Sequence, residues 1–588
     1  MCGVFGYVGQ RADVGGYLLR GLQTLEYRGY DSWGVALGAG GRIDVAKRTG
    51  RIAGVADSFA PAEIGFGHTR WATHGGVTEP NAHPHLDCTG SLAVIHNGIV
   101  ENHDALRAEL VARGHRFRSE TDSEVIAHLL EDEFAAGRDL GSALATVFAR
   151  LAGLNAVVAM DARTNELAAT KHVSPLVAGI RDGGAFIASD ALALRPHLDR
   201  VHYVEDGQIV RMTRDGLALL DRWSLNTLAP DWVPLAGAGS DAGLGGYPHF
   251  MAKEMAEQPD VLERLSRRAR PQVEALASEM AAARSIVLVG CGTAANAALT
   301  GRHLLARIAR VPVQVVVGSE FAGETDLIGP DTLVVALSQS GETVDVIEGM
   351  LAARARGARL AAIVNVEYST LDRMVDARIH LGAGPEQCVL ATKSYTAKVG
   401  ALLLLAHALA GRYGDGAAVL DAAATGLREM LAEDATALVR DVARRIHRAE
   451  HLFVVGRGTA YPSALEAALK IKEVSYIHAE GFAGGELKHG VIALVEPGTP
   501  CLVYAPNDGS RADALSGAME MKSRGGFIVG IGPAPDPVFD VHIPTPDLGH
   551  AFPIVGALPA QLIGYHAALA RGNDPDRPRN LAKSVTVK

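Results

Sequence analysis

The strongest constraint on the fold is a repeat within the second half of the chain. IVLVGCGTAANAALTG, beginning at Ile286, returns as LFVVGRGTAYPSALEA from Leu452, so that Gly290 and Gly456 stand 166 positions apart. The runs TLVVALSQSGE and TPCLVYAPNDG recur at nearly the same offset. Self-similarity of this kind marks an internal duplication. In each copy a buried apolar run ends in G-x-G-T and passes directly into a helical pattern, the rhythm of strands and helices in a helix-wrapped parallel sheet. The expectation is two tandem α/β domains with parallel sheets, at 249–430 and 431–588.

The rhythm before this is different. From Cys2 to about Asp221, runs such as SLAVIHNGIV, LNAVVAMDARTNELAAT and DGGAFIASD alternate with Asp-Gly and Thr-Asn turn signals, which points to antiparallel hairpins. DALRAELVARG and SEVIAHLLEDEFAAG carry apolar residues at three- and four-residue spacing and are expected to cover those sheets as helices. Residues 1–221 therefore read as a layered α+β domain. The Gly-, Ala- and Pro-rich stretch 222–248 has no periodicity and reads as a linker.

Composition narrows the function. A net charge of −10 with no Lys/Arg-rich run argues against nucleic acid as a partner. The apolar run VGALLLLAHALAG from Val399 falls short of the roughly 20 residues that cross a bilayer, and the N-terminus lacks a secretion signal. The five cysteines show no CxxC spacing, which favours free thiols in a reducing, cytoplasmic setting. Four of them read as small buried hydrophobes. Cys2 stands apart: removal of Met1 would leave it N-terminal, with a thiol nucleophile and an α-amine base in one residue.

The turn LSQSGET crowds Ser338, Gln339, Ser340 and Thr343 around the start of a helix, where backbone N–H groups and hydroxyls suit a phosphate; simple N-capping would need only one of the hydroxyls. The equivalent APNDGS of the second copy lacks this cluster, so the two copies are expected to differ in role.

MCG at the start, EYRGYDS, HTRWATHG, HNGIVEN, SETDSEV, SQSGET, GELKHG and NLAKSVTV together resemble the glutamine:fructose-6-phosphate amidotransferase family over nearly the whole chain. The resemblance implies an N-terminal-nucleophile glutaminase domain, layered αββα, followed by two sugar isomerase domains. It implies that Cys2 attacks the glutamine amide, with Asn97 and the N–H of Gly98 as oxyanion donors, although an Asn-Gly hairpin turn would read the same from spacing alone. Arg70 and Asp122 would hold the glutamine carboxylate and ammonium, with Thr73, His74 and His83 lining the pocket and Trp71 gating ammonia. Gly292, Thr293, Ser338, Gln339, Ser340, Thr343, Val389 and Ala582 would bind the sugar phosphate. Lys583 would form a Schiff base with the open sugar, Glu473 would move the C1/C2 proton beside Lys470, His489 would open the ring, and Glu386 would sit in the site.

No metal or organic cofactor is implied, because the carbonyl already acidifies the migrating proton. The implied substrates are glutamine and fructose 6-phosphate, and the implied assembly is a homodimer in which His489 serves the neighbouring subunit. Ala294, Ala295, Leu390 and Ala391 depart from the family pattern in the isomerase half, and Trp33 in the glutaminase half. A paralogue aminating a related keto-sugar, or a non-enzymatic sugar-phosphate sensor, are the alternatives.

Overall fold

The computed structural model describes residues 2–10, 13–52, 59–181, 183–235 and 243–586. It divides into two compact units, Met1–Gly239 with Ser584–Lys588, and Ser240–Lys583.

The first unit holds two antiparallel sheets. One has eight strands, with Gly3–Gly9 between Gly184–Ala188 and Ile64–Arg70; the other has seven, with Leu92–Gly98 paired to Asn155–Asp161. The two-residue period of a strand sorts the side chains between faces. Val4, Val8, Ile64, Phe66, Ala93, Ile95 and Val158 fill the space between the sheets. The alternate residues Phe5 and Tyr7 point outward to Leu18 and Leu22 on the helix Val14–Leu25. Val94 and Val157 likewise meet Leu129, Leu130 and Leu144 on the helices Glu124–Ala135 and Leu140–Phe148. Each large apolar side chain removed from water contributes about 1.5–3 kcal/mol, so both sheets are stabilised on both faces. The result is the expected αββα stack.

Part of the segment read as a linker belongs to these sheets. Thr227–Leu228 pairs with Gly216–Asp221, and Val233–Pro234 pairs with Arg200–Tyr203 at the outer edge, where a proline costs the ladder nothing.

The second unit contains two five-stranded, fully parallel sheets of identical topology. In the first, Gln314–Val317 flanks Ser285–Gly290, followed by Thr332–Ser338, Arg359–Val364 and Ala377–His380; in the second, His478–Ala483 flanks His451–Gly456, followed by Pro500–Tyr504, Phe527–Gly532 and Val541–Pro544. In each copy the second strand lies outside the first and the third lies on its other side, which creates a switch point at the carboxyl end of the first strand. The duplication extends to single dihedrals: Gly292 and Gly458, equivalent by offset, take φ of +52° and +56°, a region that strains side-chain-bearing residues.

Residues 399–406 of the run from Val399 form part of the buried core of the helix Lys393–Leu409. A longer helix, Gly549–Ala570, is the one described helix long and apolar enough to cross a membrane; 89% of its apolar window is buried inside the protein, which fits a core helix. All five cysteines are free; Cys388 and Cys501 are buried as expected, whereas Cys88 and Cys291 are only partly so.

Candidate functional site

Strand parity brings the first cluster together. Cys2 shares the parity of Val4, His68 that of Phe66, and Asn97 that of Ile95, so all three sit on the inner sandwich face at neighbouring strand ends. The Asn97 amide donates from Nδ2 to the Cys2 carbonyl at 3.0 Å. His68 Nε2 lies 3.0 Å from Asn97 Oδ1 and 3.1 Å from the His96 carbonyl, two acceptors, so this nitrogen carries the ring proton. Burial pushes the His68 imidazole down to about 3, which keeps it neutral. A neutral His68 donating to Oδ1 turns the Asn97 N–H₂ toward Cys2. Asn97 and Gly98 are not a hairpin tip: they lie within Leu92–Gly98, opposite Ala156 and Asn155.

The Cys2 thiol accepts from the Trp71 N–H at 3.3 Å. Burial raises its pKa above the ordinary thiol value, opposed by positive charge at the chain terminus, the Trp71 N–H and Arg70. Arg70 ends the strand Ile64–Arg70 with its guanidinium donating to the carbonyls of His74, Gly75 and Gly76, so it shapes the 72–76 loop. Asp31 holds the same loop by accepting the Ala72 N–H at 2.9 Å. Trp71 packs edge-on against Tyr30, and His74 against His103. Thr73 is exposed. Asp122 accepts the Val100 N–H at 2.8 Å just beyond the Asn97–Gly98 pair. His83 stacks on His68 with centroids 4.2 Å apart and accepts the His96 N–H at 3.2 Å. It therefore backs the inner cluster.

In the second unit Lys583 Nζ lies 2.6 Å from Glu386, with both side chains buried. Glu386 also accepts the backbone N–H groups of Thr392 and Ser394 and the Ser394 hydroxyl, at 3.0, 3.0 and 2.8 Å. Against the cost of burial, the Lys583 charge and these bonds hold the carboxyl well below the usual range. Glu254 accepts the N–H groups of Gln387 and Cys388 through one oxygen, and its other oxygen is buried without a partner. Burial, then the charge of Glu386, pushes this carboxyl up to about 8. Lys398 is also buried, which pulls its amine down to about 8. Val389 is tied to the tail preceding Lys583 by its N–H to the Asp576 carbonyl at 3.0 Å.

At the switch point, Ser338 Oγ accepts the Gly341 N–H at 2.9 Å and Ser340 Oγ the Glu342 N–H at 3.1 Å, which folds the 339–343 turn over the start of the helix Val344–Ala355. Thr343 is the N-cap residue, yet its side chain makes no cap bond, and Gln339 engages the next loop through its carbonyl. Here Glu342 turns away to the Thr370 N–H at 2.8 Å. In the second copy the residue at the same offset, Asp508, caps its own turn through the Ser510 N–H and hydroxyl, so that turn already contains an anion. The two copies differ here as expected.

Thr293 donates to Glu466 at 3.1 Å, and Asn296 donates to its other oxygen at 2.8 Å. The buried Lys470 lies 3.6 Å from Glu466 and 2.6 Å from Glu473, and these two charges raise its pKa against burial. Thr293 and Glu466 thus join the helices that follow the first strand of each parallel sheet. His489 is exposed at the end of the 3-10 segment Gly484–His489, and Ala582 lies half-buried beside Lys583.

A model of the glutamine amidotransferase domain matches residues 68–196, and a model of the SIS domain matches 279–408 and again 445–571. Over the full length of both chains, this one is 42% identical to a glutamine–fructose-6-phosphate aminotransferase (isomerizing) of Thermus thermophilus and 40% identical to one of Pyrobaculum aerophilum. The chain belongs to this aminotransferase family. The C-terminal domain of the Francisella tularensis glucosamine-fructose-6-phosphate aminotransferase superposes with a TM-score of 0.53 at 30% identity, covering 57% of this chain and all of that domain.

Within the aminotransferase frame, sequence reasoning missed His68, Glu254, Lys398 and Glu466. His68 was legible in principle, since it opens HTRWATHG two residues before Arg70 and on the same strand face. The other three lie in helices whose sequence carries no sign of what they face.

Proposed function

We propose that this chain hydrolyses glutamine in its first unit and transfers the ammonia to fructose 6-phosphate in its second, releasing glutamate and glucosamine 6-phosphate. The observation that carries the reading is the joint presence, in one chain of this family, of a Cys2 thiol beside an amide already aimed by His68 and of a Lys583 amine beside the buried Glu386. In the first unit the Cys2 thiolate attacks the glutamine amide, with the α-amine freed by removal of Met1 taking the thiol proton. Asn97 and Gly98 stabilise the oxyanion, and Arg70 and Asp122 hold the two ends of the amino acid.

In the second unit the 338–343 turn holds the phosphate, Lys583 engages the open ketose as an imine, and Glu473 moves the proton between C1 and C2. Glu386 fixes the lysine in place. The exposure of His489 supports its service to a second subunit, as a homodimer would allow. Incubation of the purified protein with glutamine and a panel of ketose phosphates, scoring glutamate and amino sugar separately, tests the reading. Glucosamine 6-phosphate formed from fructose 6-phosphate is the expected product. Glutamate release with amination only of another keto-sugar would replace the acceptor, and ligand binding with neither product would favour a sensor.

A further inference from the structure

Four side chains outside both candidate sites converge in the first unit. Cys88 follows the strand His85–Leu86, His115 lies in the turn after the helix His103–Ala112, and His128 and Glu131 share one face of the helix Glu124–Ala135. One ligand atom from each falls within 4.8 Å of all the others. Cys88 Sγ is 3.8 Å from His115 Nδ1 and 3.6 Å from His128 Nδ1. The two Nδ1 atoms are 3.0 and 3.1 Å from Glu131 Oε2. A tetrahedral zinc ion, with bonds of about 2.3 Å to sulfur and about 2.0–2.1 Å to nitrogen or oxygen, sets its ligand atoms roughly 3.3–3.6 Å apart. The edges from Cys88 to the two imidazoles are at or slightly above this spacing, those from Glu131 to the imidazoles are slightly contracted, and the remaining two are no longer than 4.8 Å.

The far side of each ring supplies an independent observation. His115 Nε2 is 3.0 Å from Asp132, which Arg113 holds from its other oxygen at 3.1 Å. His128 Nε2 is 3.8 Å from Glu124, a carboxylate fixed by the N–H groups of Arg118 and Ser119, each at 2.7 Å. Asp132 at His115 Nε2 is placed to hold that ring's proton when Nδ1 binds a cation, as in metal-bound imidazoles backed by an acid, and Glu124 stands behind the His128 ring at longer range.

We propose that Cys88, His115, His128 and Glu131 form a structural zinc site. The thiol gives its proton to solvent on binding, and thiolate plus carboxylate then balance the two positive charges of the ion. Four protein ligands close the tetrahedron, so no position is left for a reacting water, and the thiolate and imidazoles select zinc over magnesium or calcium. The ion ties the loop around Cys88 and the turn at His115 to the helix that begins just after Asp122. It thereby braces the wall carrying that carboxylate.

The test uses the full-length protein, purified from zinc-supplemented cells, with metal measured by mass spectrometry and cobalt(II) titrated into chelator-treated protein. Expected are one zinc per chain, a thiolate-to-cobalt charge-transfer band with the intense visible bands of tetrahedral cobalt, and a lower thermal midpoint after chelation. Cys88→Ser should lose the charge-transfer band and the zinc, whereas Cys2→Ala should keep both. Wild-type protein without zinc above buffer and without that band, or Cys88→Ser with wild-type zinc content, overturns the site. Should Cys88→Ser fail to fold, the cobalt spectrum of the wild-type protein decides alone.

Discussion

His68 acts on the proposed glutaminase chemistry only through Asn97, and that separates it from a catalytic residue. Removing an oxyanion donor costs about 10²–10³ in kcat, so Asn97→Ala should lose that much glutaminase activity while synthesis from free ammonia persists. His68→Ala leaves the amide present but unaimed; a fall in kcat of about tenfold, with the KM for glutamine nearly unchanged, is expected. His68→Gln, which still offers an N–H to Asn97 Oδ1, should recover part of the loss, and an equal loss in both variants would reduce His68 to a packing residue. Glu254 gives a second residue-scale prediction. Its folded pKa near 8 lies above the ordinary carboxylate value, so the protonated form is the one favoured by folding. That contribution is complete below about pH 4.5 and is eroded as pH rises toward 8, by on the order of a few kcal/mol. Glu254→Gln, an isostere of the neutral acid, should flatten the thermal midpoint against pH over this range; an unchanged slope would mean that Glu254 is ionised in the fold. Cys2, Arg70, Asn97 and Lys583 could be named from sequence because each stands in a motif, whereas the state of Glu254 depends on its burial and on Glu386, more than a hundred positions away.

At the scale of elements, the duplication made both parallel sheets legible, because identical strand–turn–helix rhythms leave few topologies open. Their divergence was half legible: the missing hydroxyl cluster of APNDGS could be read, but not that Glu342 turns to the Thr370 N–H while Asp508, at the same offset, fills its own turn. The Cys88 cluster was not legible, since only His128 and Glu131 share a short spacing and the other two ligands come from separate segments. The Asn97–Gly98 pair was ambiguous locally, and only the register against Asn155 and Ala156 puts it inside a strand. The 338–343 turn, proposed to hold the phosphate, depends on Gly341, whose φ is +68° and where an added Cβ would lie 1.9 Å from Ser369 Oγ. Gly341→Ala should therefore raise the KM for the sugar phosphate about tenfold or more, from backbone strain of about 1–2 kcal/mol plus that clash. Glutaminase activity should not change. Gly323→Ala, with no atom within 4 Å of its added Cβ, serves as the matched control in steady-state kinetics.

At the scale of the whole molecule, one chain places Lys583 against Glu386 in a buried pair but leaves His489 on the surface. An imidazole in bulk water has no preorganised relation to a sugar, and so a second subunit is the economical way to give it one. The family resemblance already implied that His489 serves a neighbouring subunit; the exposure of His489 in a single chain could not be read from sequence. The arrangement makes a quantitative prediction. Lys583→Ala and His489→Ala should each abolish amino-sugar formation from fructose 6-phosphate while leaving glutamine hydrolysis measurable. When the two variants are unfolded together, refolded and mixed at random, half of the dimers carry one of each chain, and in those one site holds both intact residues and the other neither. Activity should return to about a quarter of the wild-type value. If each chain used its own His489, every site would lack one residue and mixing would restore nothing, so the assay of the refolded mixture separates a shared site from a private one.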